Sequence, residues 1–109
     1  MPQSERDTVE VVDLGSGNVQ VRGALTFATA RRVRAAAIRL LAVSGGPSLA
    51  VDCAGVTASD SAGLAVLLDW LALAKHQNRT IRFMNLPAPI RAVAHMSEVE
   101  SLLSQGLTA

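Results

Sequence analysis

Between Leu49 and Met84 the chain changes its hydrophobic period twice, and this alternation restricts the folds open to it more than any other feature. Leu49-Ala50-Val51-Asp52-Cys53 is a short, nearly continuous apolar run, the pattern of a central strand covered on both faces. Gly55 to Ser59 reads as a turn. A long helical pattern follows from about Asp60 to Gln77, and then a second strand-like run from Thr80 to Met84. Strand, helix and strand in succession imply parallel pairing, because the helix must return the chain to the end of the sheet where the first strand began.

The flanking segments complete a small domain. Val9 to Leu14 and Val19 to Arg22 are β-type runs joined by Gly15-Ser16-Gly17-Asn18, whose residues tolerate the positive φ of a tight connection, so the chain opens on a hairpin. From about Ala28 to Val43, Ala30, Val33, Ala37, Leu40 and Leu41 fall on one arc of a helix, with Arg31, Arg32, Arg34 and Arg39 opposite. Gly45-Gly46-Pro47 ends it. Shorter helical segments fall near Pro87 to His95 and Glu98 to Ser104, with prolines at positions suited to a first turn. The expected architecture is α/β, a small mixed sheet flanked by helices, over residues 8–105, with 1–7 and 106–109 as flexible termini. A chain of 109 residues is the length of about one such domain.

Composition removes several functions. No apolar run approaches the roughly 20 residues that span a bilayer, and Met1 to Asp7 is too polar for a signal peptide, so the expected location is the cytoplasm. Cys53 is the only cysteine, which excludes an internal disulfide. A net charge of +1, one tryptophan, two phenylalanines and no tyrosine give neither a basic field nor a stacking platform for nucleic acid. His76 and His95 stand apart with no metal-spaced cluster, and the glycines at 15, 17, 45 and 46 do not form a phosphate-cradling loop. No metal and no cofactor are expected.

The start of the second helix is where chemistry concentrates. Ser59 or Asp60 can cap it by accepting from the unpaired first-turn amides, which sets Ser61 near the first helical position with its hydroxyl outward, while Gly63 keeps the surface low. A phosphate on Ser61 would meet the positive end of the helix dipole and repel an acidic or apolar partner. No sequence-evident base or oxyanion arrangement accompanies Ser61, so catalysis is not expected.

Val51-Asp52-Cys53-Ala54-Gly55-Val56 followed by Asp60-Ser61-Ala62-Gly63-Leu64-Ala65-Val66-Leu67-Leu68 resembles the signature of STAS domains, found in anti-sigma factor antagonists and in MlaB-type transporter subunits. The resemblance covers nearly the whole chain in element order. It implies that Ser61 stands where antagonists are phosphorylated and where MlaB-type members contact the transporter ATPase, and that Asp52 is a structural acid of the signature strand. Leu68 to Asn78, ending Ala74-Lys75-His76-Gln77-Asn78, is similar to MlaB-type subunits, whereas antagonists more often carry a Gly-Gly where Asn78-Arg79 stands and an acidic Gly-Glu-Leu-Asp where this chain has Gly23-Ala24-Leu25-Thr26. The function so implied is a non-catalytic accessory subunit of an ABC transporter that moves phospholipids for outer-membrane lipid asymmetry. It would dock on the ATPase, in complex with a membrane permease, and lie peripheral to the inner membrane through that partner. The alternative is an anti-sigma factor antagonist, with an anti-sigma kinase as partner, switched by phosphorylation of Ser61.

Two further surfaces carry readings of their own. Val66, Trp70 and Leu73 extend the apolar arc of the second helix beyond Leu64, Leu67, Leu68 and Leu71, and either lie under other helices or face a partner. The expected partner-binding set is therefore Ser59, Asp60, Ser61, Ala62, Gly63, Val66 and Trp70. The four arginines of the first helix read as a solvated face, with an acidic partner or the anionic cytoplasmic leaflet as the functional version.

Overall fold

The computed structural model describes residues 8–43 and 45–105, so the termini expected to be flexible, 1–7 and 106–109, lie outside the described residues. In chain order the elements are β1 (Val9–Gly15), β2 (Asn18–Leu25), α1 (Ala30–Val43), β3 (Ser48–Ser59), α2 (Ser61–His76), β4 (Thr80–Met84), α3 (Ala88–Met96) and α4 (Glu100–Gln105). The sheet runs β1-β2-β3-β4. The hairpin β1–β2 is antiparallel, and β2–β3 and β3–β4 are parallel, as two helical crossovers require. Among the described residues no helix is long and apolar enough to cross a membrane.

Two expectations about β3 are corrected. The strand does not end at Cys53: Gly55, Val56, Ala58 and Ser59 stay paired with Arg22, Gly23, Ala24 and Leu25 through two register shifts, so the expected turn is strand. Nor is the sheet covered on both faces. Val19, Val21, Leu49, Val51, Cys53, Ile81 and Phe83 point into one core with residues from all four helices, including Val33, Leu67, Ile90 and Leu103. Their neighbours Gln20, Arg22, Asp52, Arg82 and Met84 point the other way and are half-buried or exposed. The apolar run at 49–53 hid this alternation because Ala50 is small enough to sit on an open face without cost.

Arg79 ties two crossovers together. Asn78 takes the left-handed conformation (φ 59°) after α2, the backbone role glycine often fills. The chain then turns so that the Arg79 guanidinium donates to the Leu41 carbonyl at 2.8 Å and the Gly46 carbonyl at 3.0 Å. The last turn of α1 has no basic residue of its own, so this distant cation satisfies its C-terminal end. Arg79→Ala is expected to cost about 1–2 kcal/mol, since charge-assisted hydrogen bonds to a partly buried backbone end are lost, and Arg79→Lys is expected to recover only part of it. Urea unfolding checks this; an unchanged midpoint for the alanine variant would show that the guanidinium does not stabilise the α1 end.

Candidate functional site

Asp60 builds the start of α2. Its extended backbone (φ −142°, ψ −174°) makes it the N-cap, and one carboxylate oxygen accepts from the Ala62 amide at 2.9 Å. The other oxygen accepts from the Phe27 amide at 3.2 Å, and the Asp60 amide donates to the Leu25 carbonyl at 3.2 Å. A single side chain and its backbone thus fix the helix, the end of β2 and the loop between β2 and α1 against one another. Of the two capping candidates, Asp60 takes the role and Ser59 does not. Ser59, Asp60 and Ala62 are half-buried, Ser61 is exposed at the first helical position, and the Ser61 hydroxyl has no hydrogen-bond partner among the described residues.

Two of the expected partner-binding residues, Gly63 and Trp70, do not reach the surface, and a third, Val66, barely does. Gly63 is buried: a Cβ there would stand 2.5 Å from the Leu25 carbonyl oxygen and 3.0 Å from Ile90, so its role is to let α2 approach β2 and not to lower an exposed surface. Trp70 is 1% exposed and packs edge-on against Phe83 with ring centroids 5.7 Å apart. Val66 is 9% exposed. Both lie under α1, whose Val33, Arg34 and Ala37 meet Val66, Trp70 and Leu73. The wide apolar arc of α2 therefore serves the sheet, α1 and α3 together, and Trp70 is too buried to anchor an interface. Among the described residues its indole Nε1 is the one buried side-chain nitrogen or oxygen without a hydrogen-bond partner.

What sequence reasoning missed is Phe27. It is 84% exposed, the most exposed large apolar side chain described. The loop that carries it is fixed: the buried Thr29 hydroxyl donates to the Ala24 carbonyl at 2.7 Å and accepts from the Thr26 amide at 3.1 Å, and the Phe27 amide is held by Asp60. The backbone of this exposed aromatic is tied to the same carboxylate that caps α2, so its loop and the start of α2 share one anchor. The signal was one aromatic among few, in a segment with neither helical nor strand period; only the fold sets it beside residue 60.

The remaining reactive groups belong elsewhere. Asp52 sits on the open sheet face, where the Asn85 side-chain amide and the Ala54 amide, both at 2.9 Å, hold its carboxyl below the ordinary value. Its stabilising contribution is present above the unfolded carboxyl's titration and is lost as pH falls through the lowered folded value. Burial pushes the Cys53 thiol up to about 12, so it stays protonated and inert. Among the described residues no three His, Cys, Asp or Glu side chains converge on a metal-sized site.

Residues 10–104 match the family model described as "Mlab, STAS domain". Among solved structures, the chain is similar to the anti-sigma factor antagonist SpoIIAA in its unphosphorylated form, at a TM-score of 0.62 and 15% identity, over 94% of this chain and 89% of that one. At that identity the likeness is one of fold. No curated protein gives a significant match.

Proposed function

Because the chain belongs to the STAS-domain family, we propose that residues 8–105 form one docking domain, a non-catalytic accessory subunit that binds the ATPase of a phospholipid-moving ABC transporter. The family description, which names Mlab, supports the transporter reading over the signalling one. So does the local chemistry. Ala24 and Thr26, standing where antagonists more often carry acids, are buried and uncharged, so β2 offers no carboxylates beside Ser61 for a kinase to recognise. Asn78 and Arg79, standing where those proteins more often carry Gly-Gly, act here as turn and helix staple.

One observation carries the docking reading: an exposed serine with an unengaged hydroxyl starts a capped helix, and the capping carboxylate also holds the backbone of a nearly fully exposed phenylalanine. An exposed hydroxyl and an exposed apolar ring on pre-ordered segments that share one anchor suit an interface centre, since little backbone freedom is lost on binding. A subunit bound there acts by favouring one arrangement of the ATPase, and the shift it produces is bounded by its differential affinity for the competing arrangements. Through that partner it is held in the cytoplasm at the inner membrane. It needs no cofactor for this role.

The test is capture of the tagged full-length protein from its native cells, with mass spectrometry of the retained proteins and of Ser61. Recovery of an ABC ATPase with its permease is expected. Recovery of an anti-sigma kinase, with phosphate on part of the Ser61 pool, would replace the transporter reading with the antagonist one.

A further inference from the structure

The open side of the α1–α2 pair carries a second feature continuous with Ser61. A groove of about 380 Å³ runs between the two helices, floored by Ala30, Ala62, Ala65 and Val66 and walled by Arg31 and Arg34. It begins at Ala62, in the first turn that Asp60 caps. The four arginines of α1 are thereby divided: Arg31 and Arg34 line this groove, while Arg32 and Arg39 lie toward β1 beside Val9 and Val11.

Charge at the groove is unbalanced. Arg34 holds Asp69 at 2.8 Å, which neutralises the acid lining the groove. Arg31 has no hydrogen-bond or ion-pair partner among the described residues. The floor is apolar and shallow, so the wall that sets its selectivity is cationic.

Resting on the docking reading above, we propose that this groove receives an amphipathic helix of the partner protein, whose apolar side chains lie over Ala62 and Ala65 and whose acidic side chains pair with Arg31. The alanine floor admits a helix closely, as in helix-in-groove recognition, and the arginine sets its sign and register. The interface thus runs from Phe27 and Ser61 along the first two turns of α2, and the basic residues of α1 divide into one edge that binds and one that does not.

The experiment measures affinity of the purified ATPase for the full-length protein and for Arg31→Glu, Ala65→Glu, Arg39→Glu and Ser61→Arg variants, at low and moderate salt, with circular dichroism melts to verify folding. Arg31→Glu and Ala65→Glu are expected to weaken binding about tenfold or more, roughly the effect of losing one charge pair or inserting one repulsive acid. Arg39→Glu should stay within about twofold. Wild-type binding should weaken with salt more than that of Arg31→Glu. If Ser61→Arg abolishes binding while Arg31→Glu and Ala65→Glu match Arg39→Glu, the groove proposal falls and the docking reading stands. If Ser61→Arg also binds normally, both fall. A parallel flotation with phosphatidylcholine vesicles containing phosphatidylglycerol covers the lipid alternative: Arg31→Glu that keeps its ATPase affinity but leaves the vesicles would assign the arginine to a membrane surface and overturn the proposal.

Discussion

Gly63→Ala is expected to lower the melting temperature by roughly 10–20 °C, the equivalent of about 3 kcal/mol in a domain of this size. Two effects of opposite sign compete at this position. Alanine in the interior of a helix is favoured over glycine by about 1 kcal/mol because it restricts the unfolded chain. Against this, the added Cβ would stand 2.5 Å from the Leu25 carbonyl oxygen, a contact with backbone that no rotamer change relieves. Neither side can yield cheaply. Leu25 is paired with Ser59 in the sheet, and its carbonyl also accepts from the Asp60 amide, so moving α2 outward breaks the junction that positions Ser61. Steric cost therefore exceeds the propensity gain. Gly45→Ala is the control, with nothing within 4 Å of the added carbon and no left-handed backbone to strain, and it should melt within a few degrees of wild type. A Gly63→Ala variant as stable as wild type would mean that the helix and strand separate freely, and the rigid-junction account of the site would go with it.

The same residue illustrates what a sequence can and cannot convey. The sequence places Gly63 at the surface because it follows a capping residue, and N-caps stand at helix starts where glycine costs little. Its burial is decided by Leu25, thirty-eight positions earlier, and by Ile90, twenty-seven later. Elements with a strong local period were legible: the α2 stripe of Leu64, Leu67 and Leu71, and β4 with the bounds Thr80–Met84. The far half of β3 was not legible because Gly55 and Ala58 have poor strand propensity, and the segment stays extended through the pairing of Gly55, Val56, Ala58 and Ser59 with β2. Trp70 failed for a related reason. An apolar arc wider than one sheet face has two physical outcomes, a second packing partner or an exposed patch, and periodicity does not separate them. Asp60 and Ser61 were legible because capping is local chemistry. Phe27 was not, because its link to Asp60 spans thirty-three residues and passes through a backbone amide, which carries no side-chain signature.

Ser61→Glu and Ser61→Arg should both abolish partner binding, by about a hundredfold or more, while moving the stability of the isolated domain in opposite directions. The folding half rests on the α2 dipole. Ser61 is at the first helical position and α2 has no acidic side chain in its first turn, so glutamate adds about 0.3–1 kcal/mol of favourable interaction there, offset in part by repulsion from the Asp60 cap. Arginine at the same site meets the positive end of the dipole and loses a similar amount. Since the side chain is exposed, neither substitution disturbs the core, and glutamate should melt at or slightly above arginine. The binding half ignores that sign. Closing a partner over Ser61 removes water from whatever stands there, and an uncompensated charge in a closed interface costs about 3–5 kcal/mol, or roughly two to four orders of magnitude in affinity. Ser61→Ala deletes only a hydroxyl and should cost about 0.5–1.5 kcal/mol, no more than about tenfold. The discriminating measurement is therefore paired: melting temperature and partner affinity on the same three variants. Loss of affinity that followed the melting temperature, worse for arginine and spared for glutamate, would show that Ser61 acts through the helix and not at the interface. Loss in both charged variants against a small effect of alanine, with glutamate no less stable than arginine, is the pattern that only a buried contact at Ser61 produces.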